Sequence, residues 1–240
     1  MSKHLKRLNA PKTLRLHRKE RKWTIRATAG PHKLDKSIPL GLAVRDYLDL
    51  CDTYKEAKRI VSNGEILVDG VKRKDIKFPC GLMDVISIPK LKKDYRVLYD
   101  RRGKLTLTEI SSENAEWKLC RIENKTIVNG NKVQLNLHDG KNIIVKKDEY
   151  KTGDVLKISL SDKKITDVYP FDKGTVTVAM IIDGSHSGQI ADIIDIEITP
   201  SPKPNITKMK SDVEFLTIKN YVFPIGKDKP VIALPEVKVE

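Results

Sequence analysis

Twelve of the first 36 residues are lysine or arginine, and only Glu20 and Asp35 oppose them, for a local net charge of +10. Residues 37–110 add +4, from 15 basic residues against 11 acidic ones, while residues 111–240 hold 19 of each sign and add nothing. A chain made basic for solubility alone has no reason to gather its whole excess at one end, whereas attraction to a polyanion gives one. The same feature constrains folding. With Leu5, Leu8, Leu14, Leu16, Trp23 and Ile25 at neither helical nor strand spacing, residues 1–36 are expected to build no core on their own. That leaves an extended arm that orders on a partner, or a solvated basic tail. Trp23, set between Arg21, Lys22 and Arg26, favours the partner, because an aromatic among cations can stack on a nucleic-acid base.

Several classes fall away. The longest stretch free of charge is the nine residues Gly174 to Ile182, against roughly 20 needed to span a bilayer as a helix, so no membrane partner is expected. The charged start has no apolar run behind it, which argues against a secretory signal, and Pro11 with Gly30-Pro31 interrupts any amphipathic transit helix. Cys51, Cys80 and Cys120 are odd in number and widely spaced, so neither a disulfide framework nor a zinc knuckle is expected. A reducing, cytoplasmic setting fits.

Ser37 reads as a helix N-cap with Pro39 just inside, followed at helical spacing by Leu40, Ala43, Val44, Tyr47, Leu48 and Cys51. Thr53-Tyr54-Lys55-Glu56 reads as a capping box opening a helix that runs to Ser62 and ends at Asn63-Gly64. On that helix Tyr54, Ala57, Ile60 and Val61 share a packing side, and Lys55, Lys58 and Arg59 share the opposite, cationic one. A strand over Glu65–Val68, a turn at Asp69-Gly70 and a return through Val71, Lys72 and Arg73 come next. Pro79-Cys80-Gly81 reads as a turn, and Asp84 to Ile88 as a further strand.

From Tyr95 the pattern becomes short alternating runs separated by turn pairs such as Asn129-Gly130 and Asp139-Gly140, which suggests a β-barrel or sandwich. Later, Thr175 to Met180 alternates, Asp183 to Gly188 forms a loop, and Ile194, Ile196 and Ile198 alternate with acids. The Pro200–Pro204 run reads as a stiff linker to a last β-rich segment.

These residues carry a resemblance. The stretch from Glu56 to Gly70, with Leu40 to Leu50 before it and Gly81 to Ile88 after it, resembles the S-four RNA-binding module, two helices and a small sheet that recur in ribosomal proteins and RNA-modifying enzymes. The strands around Asp183–Gly188 resemble a KOW module, an SH3-like barrel. In order along nearly the whole chain, the basic arm, this module, a β domain, the KOW-like strands and the stretch from Tyr221 to Glu236 resemble the ribosomal protein S-four-e family of archaea and eukaryotes.

The expected architecture is therefore α+β and multi-domain: a basic arm (1–36), an S-four-like module (37–94), a β-rich central domain (95–172) and a KOW/SH3-like barrel with its C-terminal segment (173–240). The resemblance implies a structural protein of the small ribosomal subunit, with small-subunit rRNA and neighbouring ribosomal proteins as partners. The residues expected to meet RNA are Lys3, Lys6, Arg7, Lys12, Arg15, Arg18, Lys19, Arg21, Lys22, Trp23 and Arg26 of the arm, Lys55, Lys58 and Arg59 of the helix, and Lys72 and Arg73 of the hairpin. A KOW-type transcription elongation factor and a non-catalytic partner of an RNA-modifying enzyme are the alternatives.

No catalytic residues, cofactor, metal or small-molecule substrate are expected. Gly184-Ser185-His186-Ser187-Gly188 imitates a hydrolase loop, but the nucleophile elbow requires serine at its centre and here histidine occupies it. Neither Gly-x-Gly nor Gly-Lys-Ser/Thr occurs, which removes nucleotide loops of those types.

Overall fold

The computed structural model describes residues 4–130, 132–172, 177–211 and 213–235. They form two compact units, residues 4–99 with 104–118 and 234–235, and residues 100–103 with 119–233. Lys3, Thr175 and Val176, for which the sequence raises expectations, lie outside the described residues.

The first unit begins in the segment expected to be an extended arm. Strands β1 (Leu5–Lys6) and β2 (Trp23–Thr24) pair antiparallel with Lys6 opposite Trp23, and Ala10, Leu14 and Ile25 are buried. The basic segment is thus folded into the unit rather than free. Its apolar residues are too scattered to pack on one another, yet they pack on later elements of the chain, with Ile25 lying against Gly41. The strand β3 (Ser37–Pro39) comes next, and it pairs with β6 (Pro79–Gly81), Ser37 opposite Gly81. Ser37 is therefore a strand residue and caps nothing, and Pro79-Cys80-Gly81 is a strand rather than a turn. Neither is legible in the sequence, because a two-stranded pairing across some 40 residues leaves no local periodicity.

Helix α1 (Leu40–Leu42) runs directly into a π-helical stretch (Ala43–Tyr47), where the Leu48 N–H reaches back five residues to the Ala43 carbonyl at 3.1 Å. Helix α2 (Tyr54–Ser62) has the expected capping box, with the Thr53 side chain accepting from Glu56 N and the Glu56 carboxylate accepting from Thr53 N. It ends at Asn63, before Gly64 at φ +72°. Ala57 and Val61 are fully buried, but Tyr54, assigned to the packing side, is 39% exposed. The hairpin of β4 (Leu67–Val68) and β5 (Val71–Lys72) turns through Asp69 and Gly70, both at positive φ.

β7 (Val85–Ile88), β8 (Lys93–Tyr99) and β9 (Leu105–Ile110) complete a five-stranded sheet in the order β5-β4-β7-β8-β9. Val85 pairs with Arg96 and Ile88 with Lys93, so the boundary expected at 94/95 falls inside β8, a strand bonded into this sheet. A short helix, α3 (Ser112–Ala115), leads out of it.

In the second unit, β10 (Trp117–Val128, from residue 119 on), β11 (Lys132–Leu137), β12 (Asn142–Val145), β13 (Val155–Ser159) and β14 (Ile165–Tyr169) form a sheet in the order β12-β11-β10-β13-β14. It closes over Cys120, Ile122, Leu135, Leu137, Leu156 and Ile158. A second sheet, in the order β18-β17-β16-β15-β19, is made of β15 (Val178–Ile181), β16 (Ile190–Glu197), β17 (Ile206–Lys210), β18 (Glu214–Ile218) and β19 (Val222–Gly226). Ala179, Ile181, Ile193, Met209 and Val222 are in its core.

The second sheet departs from expectation in two respects. β16 pairs directly with β17, Glu197 opposite Ile206, so the Pro200–Pro204 run is a hairpin connection and not an interdomain linker. The register slips between Ile193 and Asp195, and this bulge reverses which side chains face inward. Ile193 and Ile196 are buried, while Ile194 and Ile198 are 38% and 75% exposed. The two sheets, expected as separate domains meeting at 172/173, belong to one compact unit.

Candidate nucleic-acid interface

The cations of the N-terminal segment divide into two groups. Arg7 is 2% exposed and spends its guanidinium inside the unit, donating from Nη1 to the His17 carbonyl at 3.0 Å and from Nη2 to Asp46 Oδ1 at 3.1 Å. Arg18 donates to the carbonyls of Ala10 at 2.7 Å and Pro11 at 2.9 Å, and so ties down the turn after β1. The Arg15 backbone N–H donates to the Tyr47 hydroxyl at 2.9 Å, and burial pushes that phenol up to about 12. The π-helical stretch thus aims Asp46 and Tyr47 at the basic segment and fastens it. Arg7 is accordingly withdrawn from the set available to a ligand.

Lys6, Lys12, Arg15, Lys19, Arg21 and Lys22 are exposed, and Arg18 and Arg26 are half-buried. Trp23 stands among them, 50% exposed. The Lys22 ammonium lies 5.4 Å from its ring centroid and the His4 ring 5.7 Å away. An indole held by strand pairing, with the Lys22 ammonium and the His4 ring beside it and half of it exposed, has the composition of a base-stacking platform.

A further set of cations is on α2 and the hairpin. Lys55, Lys58 and Arg59 are exposed, as is Lys72. The Lys72 and Lys74 side chains reach over Gly64 at the end of the helix. Arg73 is half-buried, its guanidinium 4.5 Å from the Phe78 ring centroid. The acids nearby are occupied. Glu56 is held by the cap, where hydrogen bonds from Thr53 keep its carboxyl below the ordinary value. Glu65 bonds Lys90 at 2.7 Å, which holds it down likewise.

Sequence reasoning missed the group that fixes this hairpin. The Lys118 ammonium, 1% exposed, bonds Asp69 Oδ2 at 2.6 Å and Asp84 Oδ1 at 3.0 Å. The other Asp84 oxygen bonds His32 Nε2 at 2.8 Å and accepts from Gly81 N at 2.9 Å. Burial pushes the Asp84 carboxyl up, but Lys118 and His32 outweigh it and hold the group well below the usual carboxylate range. Arg96 is likewise buried, donating from Nη2 to the Asn114 and Trp117 carbonyls, each at 2.7 Å, with its guanidinium 4.4 Å from the Trp117 ring. Burial lowers it to about 10. No sequence motif marks these residues; only Lys and Arg in strand positions otherwise occupied by apolar residues hint at them.

The decoy loop serves packing. The His186 ring stacks on Phe215 at 4.2 Å and bonds Gln189 at 3.1 Å. Gly188 lies so close to the Asp100 backbone that any side chain there would collide with it. Cys80 is buried, and burial pushes its thiol up. Among the described residues no three His, Cys, Asp or Glu are grouped to hold a metal, and no helix is long and apolar enough to cross a membrane.

Known proteins share this arrangement. Residues 1–35 match the RS4NT (NUC023) domain, residues 47–86 the S4 domain, and residues 91–165 the model described as Ribosomal family S4e. The small ribosomal subunit protein eS4 of Methanothermobacter thermautotrophicus is 47% identical over 235 residues, covering 97% of this chain and 96% of its own. That of Archaeoglobus fulgidus is 48% identical over 235 residues, covering 96% and 97%. The crystal structure of the 30S ribosomal protein S4e from Thermoplasma acidophilum superposes with a TM-score of 0.70 at 38% identity, covering 80% of this chain and 96% of that one. Its relatives are structural ribosomal proteins and not enzymes, and the chain belongs to the ribosomal protein S4e family.

Proposed function

We propose that this chain is a structural constituent of the small ribosomal subunit that binds small-subunit rRNA through two cationic surfaces of its first unit and thereby supports subunit assembly and translation. The observation that carries this reading is the orientation of charge. After Arg7 and Arg18 are committed to internal bonds, Lys6, Lys12, Arg15, Lys19, Arg21 and Lys22 remain exposed beside Trp23, and Lys55, Lys58, Arg59 and Lys72 remain exposed at α2 and its hairpin. A-form grooves conceal most base edges, so these cations recognise phosphate positions and helical shape, while Trp23 stacks on an unpaired base. Neighbouring ribosomal proteins are the other partners, in the cytoplasmic small subunit. The KOW-like sheet contributes surface, its β15–β16 loop being packed on the protein.

The test compares rRNA affinity against salt for the full chain and two variants. One carries Lys12→Gln, Lys19→Gln, Arg21→Gln and Lys22→Gln; the other carries Lys58→Glu and Arg59→Glu. Both sets are exposed, so melting should change little. The first should lower the salt slope by about three units, reflecting counterions no longer released. The second should weaken binding on the order of tenfold or more. Slopes and affinities equal to those of the parent would refute the reading.

A further inference from the structure

The outer face of the β12-β11-β10-β13-β14 sheet carries a feature that neither the cations nor the core explains. Asn124, Asn136 and Asn142 stand directly opposite one another on β10, β11 and β12, and the next row is Thr126, Gln134 and Ile144. Directly opposed residues share a face, as do residues two apart on a strand. Cys120 and Ile122 point into the core, so the same parity would turn Asn124 and Thr126 inward as well. The register shift between Ile122 and Asn124 prevents this. The extra residue, Glu123, flips the strand and places the amides outside. Asparagine is disfavoured in strands, and three in one cross-strand row are not what sheet stability selects.

The patch is internally ordered. Gln134 Nε2 donates to Asn136 Oδ1 at 2.8 Å, and Asn136 Nδ2 donates to Thr126 Oγ1 at 2.9 Å. This fixes the central amides and leaves Asn124 and Asn142, both exposed, on either flank. Lys132, exposed and two residues before Gln134 on β11, shares the face, and no acid stands in these rows. With strands about 4.8 Å apart and rows about 7 Å apart, the patch measures roughly 10 by 7 Å. Each amide offers both donors and an acceptor.

The chemistry of the patch selects its partner. A protein-binding face is centred on aromatic or arginine anchors, and this one offers only Ile144 as a large apolar group. The minor groove of an A-form duplex is wide and shallow and displays 2′-hydroxyls, each both donor and acceptor. Flat, uncharged amides with a lysine and no carboxylate complement that surface and its flanking phosphates. We propose that this amide face docks in the minor groove of duplex RNA and bonds ribose 2′-hydroxyls, giving the electrically neutral part of the chain its own RNA contact. The proposal rests on the rRNA-binding reading above.

The test uses the full chain with Asn124→Thr and Asn142→Thr together. Threonine is a better strand former, so melting should hold or rise. Affinity for a synthetic RNA duplex of about 16 base pairs should fall on the order of tenfold, for the loss of two or more hydrogen bonds. The salt slope should stay that of the parent, because no phosphate contact is removed. On the same duplex with 2′-O-methyl riboses, parent and variant should bind alike. Parental affinity for the unmodified duplex, or an equal deficit on the methylated one, overturns the proposal. So does unaltered RNA binding with failed incorporation into subunits, which would mark a protein-docking face. The cation variants are read by slope and this one by an offset at constant slope, so either reading can fail alone.

Discussion

Lys118 shows what a single side chain can decide here. At 1% exposure its ammonium has left water for two carboxylates, at 2.6 and 3.0 Å, and removing one member of such a set strands the others. Lys118→Met is expected to cost about 3–5 kcal/mol at neutral pH. Asp84 titrates below its unfolded value, so its contribution is complete above about pH 4 and is lost as pH falls toward the folded value. Without Lys118, burial dominates and the carboxyl protonates more readily, so the variant loses less on acidification. Melting temperatures of parent and variant should therefore converge between pH 7 and pH 3.5. A gap that stays constant would mean that lost packing, not the ion pair, is the cause. The same scale limits what a sequence reveals. Lys12 and Arg7 are interchangeable cations in the sequence, and it is acceptors 10 and 39 positions further on, the His17 carbonyl and Asp46, that turn Arg7 inward.

At the scale of elements, legibility tracks locality. The box at α2 is readable because Thr53 and Glu56 act within one turn, and the Asp69-Gly70 hairpin because its turn chemistry is in adjacent residues. Thr53→Ala should destabilise the first unit by about 1 kcal/mol, while Thr53→Ser, which keeps the accepting hydroxyl, should not. Thermal melting of the two variants checks this, and equal loss in both would assign the effect to the threonine methyl. The pairing of β3 with β6 is not readable, nor are the bulges at Glu123 and Ile194. Each depends on a partner strand and leaves the chain's own composition unremarkable. That is why the amide row is invisible in the sequence: Asn124, Asn136 and Asn142 acquire a common face only through register.

For the whole molecule, the polarised charge is legible and correctly separates the cationic part from the neutral one, but charge does not mark where a fold ends. The boundary expected at 94/95 rests on the change in strand pattern near Tyr95, whereas the first unit continues through β8, β9 and Lys118. The consequence is testable by truncation. A chain ending at residue 94 would cut β8 after its second residue and leave Val85 and Ile86 on an open edge without Arg96 and Tyr95, their partners. It would also lack Arg96 and leave Asp69 and Asp84 buried without the Lys118 ammonium. Exposed strand edges invite association, and uncompensated buried carboxylates oppose folding. That fragment is expected to aggregate or to melt without cooperativity. A chain carried a few residues past Lys118 retains the full sheet and both ion pairs, and should melt cooperatively and keep the steep salt dependence of RNA binding. Cooperative melting of the shorter fragment would restore the boundary at 94/95 and make β8 and β9 an addition to an independently stable module.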